Sequence, residues 1–183
     1  VDTILHAKHI YIIGIRSCAP LASFMAFYFT LMFPNVHLIQ TSSSSEIFEQ
    51  MVRIGKEDVI IGISFPRYSM RTLKAMEFAN NRSAKVITLT DSVHSPMNLY
   101  SSCNLIADSD MASIVDSLVA PLSVINALIV ALCMKKQNEV AKTLEMLEDI
   151  WDEYQVYEND EINYIDDSIK MRYGKVGDAE LYE

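Results

Sequence analysis

The chain has 183 residues, half of them hydrophobic, with 24 acidic and 15 basic side chains and a formal charge of −9. That length suits one well-buried domain with an appendage. Residues 139–183 hold 14 acidic and 4 basic side chains, hence −10, which leaves residues 1–138 at +1; without a basic stripe, direct binding to a nucleic-acid backbone is excluded as the main activity.

Taken in chain order, residues 4–8 read as the end of a helix leading into a first strand over 9–13. The turn Gly14-Ile15-Arg16-Ser17-Cys18 then enters a helix over about 20–33, with Pro20 in the first turn, where its missing amide costs nothing. A second strand over 36–40 ends in a serine run, 41–45, before a helix over about 46–54.

Residues 58–73 are the stretch around which the rest is organised. Val59-Ile60-Ile61-Gly62-Ile63 is β-branched and apolar enough for a strand buried on both faces. Residues 70–76 have apolar side chains at helical spacing, and between lies the turn Ser64-Phe65-Pro66-Arg67-Tyr68-Ser69. A strand over 84–90, the loop 91–96, a short helix near 97–100 and a short strand over 103–107 follow. A long apolar helix from Ser113, covering 114–134, ends the domain; its Asp116, Ser117, Ser123 and Asn126 mark a core or interface helix rather than a membrane span.

Strand and helix alternate five times, which predicts an α/β, doubly wound three-layer sandwich with a five-stranded parallel sheet. The predicted organisation is a domain over 1–136, an amphipathic helix over 137–157 and an acidic tail over 158–183, expected to be disordered. In the helix, Val140, Leu144, Leu147, Trp151 and Tyr154 repeat with 4-3-4-3 spacing, a stripe that needs covering by the domain or by a second subunit.

Ligands of open α/β sheets bind beyond the carboxyl ends of the strands, where loops enter helices and helix amides point outward. Four of the five strands end there in loops rich in Ser, Thr or Arg: 14–18, 41–45, 64–69 and 90–95. The candidate ligand-binding residues are Arg16, Ser17, Ser42, Ser43, Ser64, Arg67, Ser69 and Thr90, a set suited to phosphate. A surface salt bridge explains either arginine alone better, and helix capping explains Ser69; the two arginines together with the hydroxyls favour an anion site.

Metal-ligand spacing is missing from His6, His9, His37 and His94 and from Cys18, Cys103 and Cys133, so no metal and no cofactor is expected. The unpaired cysteine count suits a reducing, cytoplasmic setting. No Ser-His-Asp set, P-loop or GxGxxG is present, and Arg16 stands where a dinucleotide fingerprint needs its second glycine. No catalytic residue is assigned. The start at Val1, directly before structured sequence, reads as a fragment or a processed product.

The strand–GIRS turn, the ISFPRYS–MRTL passage and the ITLTDSVHSPM passage before a short strand resemble the sugar isomerase (SIS) domain. The version most similar is that of RpiR-type bacterial transcriptional regulators, over roughly residues 1–135. The resemblance implies an α/β sandwich that binds a phosphorylated sugar or amino sugar, forms homodimers or even-numbered oligomers, and reaches DNA only through an N-terminal helix-turn-helix domain absent from this sequence. The family's G-x-G-x-S falls on Gly14, Arg16 and Cys18, and its S-x-S-G-x-T falls on Ser64, Pro66, Arg67 and Ser69. Arg16, Cys18, Pro66 and Arg67 depart from that pattern, as in a cradle where guanidinium replaces backbone amides. A free-standing sugar-phosphate isomerase, with Asp91, His94 or His6 as a base, is the alternative; a dimerisation module that has lost its ligand is the third.

Overall fold

The computed structural model describes residues 1–41, 43–109 and 117–157. Five short aliphatic runs form its sheet: β1 (Ile10–Gly14), β2 (Val36–Ile39), β3 (Val59–Ile63), β4 (Lys85–Thr90) and β5 (Cys103–Ile106). All pairings are parallel and the order is β2-β1-β3-β4-β5, as the alternating pattern predicts. Every residue of β1 and β3 is buried, which explains why those strands read as continuous apolar runs.

Among the described residues, six α-helices accompany the strands: α1 (Asp2–Leu5), α2 (Ala19–Met32), α3 (Ser44–Gln50), α4 (Met70–Asn81), α5 (Val119–Lys135) and α6 (Gln137–Glu153). Alternate strand residues divide the core between two helical layers. Ile10, Ile12, Ile61, Ile63 and Leu89 pack with Leu21, Met25 and Phe29 of α2 and Ile125 and Leu132 of α5. Tyr11, Ile13, Ile60 and Val86 pack instead with Ile47 of α3 and Ala75, Met76 and Ala79 of α4. Gly62 is the point of closest approach on that second face, since a Cβ there would lie 2.3 Å from Met76 Sδ.

Three boundaries differ from expectation. Gly14 is the last residue of β1 rather than the first of the turn, and α3 is shorter at its end, stopping at Gln50. Ser117 and Leu118 are not helical, so α5 begins at Val119 and does not run on from Ser113; residues 110–116 lie outside the described residues. Pro121 accounts for the late start: it has no amide to give to a preceding turn, and its ring excludes the carbonyl four residues back.

Val1–Val140 forms one compact unit and Ala141–Glu183 a second, of which 141–157 is described. No residue of α6 is buried, and Leu144 and Ile150 on it are exposed. Trp151, in the last turn of α6, meets Tyr157 beyond it edge-on with ring centroids 5.3 Å apart. The predicted tail, 158–183, lies outside the described residues.

Candidate functional site

Strand register sets the loops side by side. Ile13 pairs with Ile39, Gly14 with Ile63, and Ile63 with Leu89, so the next residues of β2, β3 and β4 are Gln40, Ser64 and Thr90 along one edge. Gly14 is fixed by crowding: a Cβ there would sit 2.6 Å from the Cys18 carbonyl oxygen and 3.0 Å from Ala22 Cβ. The chain therefore turns sharply into a short 3-10 helix, Arg16–Cys18, and then into α2.

Arg16 has φ 59° and Arg67 has φ 57°, both in the left-handed region that favours glycine. An L-residue there is strained by about 1–2 kcal/mol. Both side chains are exposed at the same sheet edge, and Ser17 is exposed beside Arg16. Two strained arginines in the two loops flanking the centre of the sheet are the least economical feature of the fold.

Around Arg67 the loop is braced by hydroxyls. Buried Ser64 donates its amide to the Leu89 carbonyl at 3.1 Å, and its Oγ accepts the Ser69 amide at 2.9 Å. Ser69 is the N-cap of α4, its Oγ accepting the Thr72 amide at 3.3 Å. A hydroxyl that accepts carries in addition one proton to donate. Tyr68 donates to both oxygens of Asp91, at 2.9 and 3.2 Å, tying this loop to the end of β4. Burial pushes the Tyr68 phenol up, and its bond to Asp91 adds to that.

The remaining predicted residues separate. Thr90 is fully buried, within hydrogen-bond distance of Asp91 Oδ1 at 3.1 Å and Ser95 Oγ at 2.9 Å, so it braces the 91–95 loop from beneath. Ser43 is the N-cap residue of α3, with its amide donated to Thr41 Oγ1 at 3.0 Å and its Oγ 2.9 Å from Ser45 Oγ. Thr41 in turn donates to Glu46. Ser42 lies outside the described residues.

Three residues of this edge escaped the sequence reading. Tyr68 was passed over as a turn residue, although it holds Asp91. Arg71 and Lys74, with Ser44, Ile47, Phe48 and Met70, line a 290 Å³ cavity between α3 and α4. Their three-residue spacing on a helix was the available signal. The first turns of α2 and α4 carry no acidic residue. Cations gathered where helix amides already point positive are unfavourable on their own account, and an anion between them reverses the sign.

The SIS domain model matches residues 3–131 of the chain. A relative from Caldanaerobacter subterraneus subsp. tengcongensis, described as an uncharacterized HTH-type transcriptional regulator, is 32% identical over 98 residues, 51% of this chain and 35% of that protein. The chain thus aligns with about a third of that regulator's length. Among solved structures, the sugar isomerase domain of an RpiR transcription factor from Sphaerobacter thermophilus superposes with a TM-score of 0.76 at 22% identity, over 81% of this chain and 82% of that one. The Vibrio vulnificus NanR protein, solved with ManNAc-6P, gives a TM-score of 0.70 at 18% identity, over 81% and 58%. Other structures with this fold are described as sugar-phosphate isomerases. At such identities the likeness establishes the fold, which serves regulators and isomerases alike.

Proposed function

The chain belongs to the SIS domain family, and from that premise we propose that it is the phosphosugar-sensing effector domain of an RpiR-type transcriptional regulator. In this reading it binds a phosphorylated sugar or amino sugar at the carboxyl edge of the sheet and does not turn it over. DNA is reached only through a helix-turn-helix domain outside these residues, and the protein works in the cytoplasm. No single described helix is long and apolar enough to cross a membrane.

The observation that carries the reading is the pair of left-handed arginines at one sheet edge, beside Ser64 and Ser69 and at the positive ends of α2 and α4. Arg67 places a guanidinium where the family motif has a glycine, and its φ of 57° lies in the region that favours glycine. The phosphate would be held by Ser64, Ser69 and Arg67, with Ser43, Ser17 and Arg16 close by and Ser42 as a further candidate. Asp91 is already engaged by Tyr68, which lessens its repulsion of an incoming anion. The regulator relative and the NanR structure with its phosphosugar support the same choice over an isomerase.

The test is a thermal-shift panel of sugar phosphates that includes ManNAc-6P, run on the wild type and on Arg67→Ala. A ligand that binds only the folded form raises the midpoint. Losing one charge-assisted contact should weaken binding about tenfold to a hundredfold. Equal stabilisation of both proteins would displace the site from this loop, and conversion of a panel member into its isomer would make the chain an enzyme.

A two-fold dimer completes the proposal. Phe27 of α2 and Val119, Val130 and Met134 of α5 are well exposed, so α5 sets large apolar side chains beside Ser123 and Asn126 on the side facing solvent. Sedimentation at micromolar concentration should give twice the 20.7 kDa chain mass, and a monomer there refutes the dimer.

A further inference from the structure

The 17 residues of α6 carry six carboxylates, at Glu139, Glu145, Glu148, Asp149, Asp152 and Glu153, against one ammonium, at Lys142. Helical spacing divides the rest of the helix lengthwise. Glu145, Glu148, Asp149, Asp152 and Glu153 fall on one half, and Leu144, Leu147, Ile150 and Trp151 fall on the other. No residue of the helix is buried, and Leu144, Met146 and Ile150 are exposed. A helix of this length is marginal in water on its own, and helices of its size are held mostly by burying an apolar face. The face of α6 is made for burial and has none.

The charges of α6 say what kind of surface suits it. Glu145 and Asp149, Glu148 and Asp152, and Asp149 and Glu153 are like-charge pairs four residues apart, and each destabilises a helix. The last turn has no basic residue, at the end where helix carbonyls already point negative. A cationic surface alongside relieves both effects. A second copy of α6 would instead bring another net charge of −5 against the first. Nucleic acid and anionic lipid repel it in the same way, and a neutral bilayer accepts the apolar half without answering the acids.

We propose that α6 is a docking helix for another protein, one that presents an apolar groove bordered by lysine and arginine. Leu144, Leu147, Ile150 and Trp151 enter the groove, as the apolar side of an amphipathic helix does, and Glu145, Glu148 and Asp152 meet its basic rim. Such docking does not depend on what binds at the carboxyl edge of the sheet.

Trp151 is the chain's single tryptophan, so its emission reports burial of the stripe directly. Three designed helical peptides of equal length serve as probes for the whole chain: leucines flanked by lysines, leucines flanked by glutamates, and lysines with glutamine in place of leucine. The first should move Trp151 emission to shorter wavelength and bind at least about tenfold more tightly than either of the others, with an advantage that shrinks as salt rises. Leu144→Gln with Leu147→Gln should weaken that binding about tenfold or more. Glu145→Gln with Glu148→Gln should remove most of its salt dependence. None of the four positions is buried and glutamine is a good helix former, so the thermal midpoint without peptide should not move in either variant. Equal binding of the lysine-flanked and glutamate-flanked leucine peptides means that charge does not choose the partner. Trp151 emission that ignores every peptide and moves to longer wavelength on dilution of the protein means that a second copy covers the stripe. Phosphatidylcholine vesicles that shift the emission as far as the lysine-flanked peptide make α6 a membrane-surface helix. Each of these three results overturns the basic protein partner, and so does an emission that no probe and no dilution moves.

Discussion

The two edges of the sheet carry similar numbers of charged residues and use them in opposite ways. At the amino edge, helix ends expose carbonyls, and cations belong there. Arg82, following α4, donates to the Val52 carbonyl at 2.9 Å, and Lys8 pairs with Glu57 at 3.8 Å. The 180 Å³ cavity of that edge is lined by both signs: Lys8, Arg53 and Lys56 against Glu57 and Asp58. At the carboxyl edge helix ends expose amides, yet Arg16, Arg67, Arg71 and Lys74 are placed there too, two of them in strained backbone. At the first edge the chain itself supplies charges of both signs, and Asp58 Oδ2 accepts the Gly55 amide at 2.8 Å. The second sets two left-handed arginines at the positive ends of α2 and α4, an arrangement suited to an anion.

The sharpest way to test that contrast is through the glycines. Gly14 at the carboxyl edge faces the Cys18 carbonyl, whereas a Cβ on Gly55 at the amino edge meets nothing within 4 Å. Gly14→Ala should cost about 1–3 kcal/mol as overpacking and distort the turn that presents Arg16. Gly55→Ala should be neutral or stabilise by roughly 0.4–1 kcal/mol through the unfolded chain. Urea midpoints measure both; equal costs would mean that the two edges are equally constrained.

A smaller effect separates strain that serves a ligand from strain that serves a turn. Ser83, at φ 64°, ends α4 at the amino edge, with the Ala84 amide bonded to the Ala79 carbonyl at 3.1 Å. Arg67, at φ 57°, has the same backbone at the carboxyl edge. The left-handed penalty, less the entropy glycine loses on folding, leaves a gain of roughly 0.5–1 kcal/mol for either Ser83→Gly or Arg67→Gly. Only Arg67→Gly should also lose phosphosugar affinity. A ligand-binding loss in Ser83→Gly, or none in Arg67→Gly, breaks the comparison.

The parallel sheet was legible because burial on both faces writes a strand as an unbroken aliphatic run, as in β1 and β3. The loops were legible as hydroxyl- and arginine-rich stretches at strand ends. Their internal division of labour was not. Thr90 and Ser64 look alike in sequence, but Thr90 is sealed beneath the 91–95 loop, where its hydroxyl meets Asp91 and Ser95. Arg71 and Lys74 read as ordinary helix-surface charges until α3 is seen to wall off the space beside them. The late start of α5 was written in Pro121, which a hydropathy pattern passes over because proline sits comfortably among apolar residues.

The smallest expected effect is the pH response of the amino edge. His37 on β2 has its Nε2 3.1 Å from His9 Nδ1, and its ring stacks on Tyr11 with centroids 4.8 Å apart. Burial pushes the His37 imidazole below the usual histidine range, and His9 adds to that; Asp58 opposes it. Because the folded form holds its proton less tightly than the unfolded chain, the unfolded chain binds more protons once pH falls below about 6.5. Stability is therefore full above that pH and declines as pH drops toward the folded value. His37→Gln should flatten this part of the stability profile and leave phosphosugar affinity at pH 7.5 unchanged, since the pair lies at the opposite end of the sheet. Urea midpoints from pH 7.5 to pH 5 in both proteins decide it. A profile equally steep in the variant moves the response to other groups, and a loss of ligand binding in His37→Gln would couple two edges that otherwise keep their electrostatics apart.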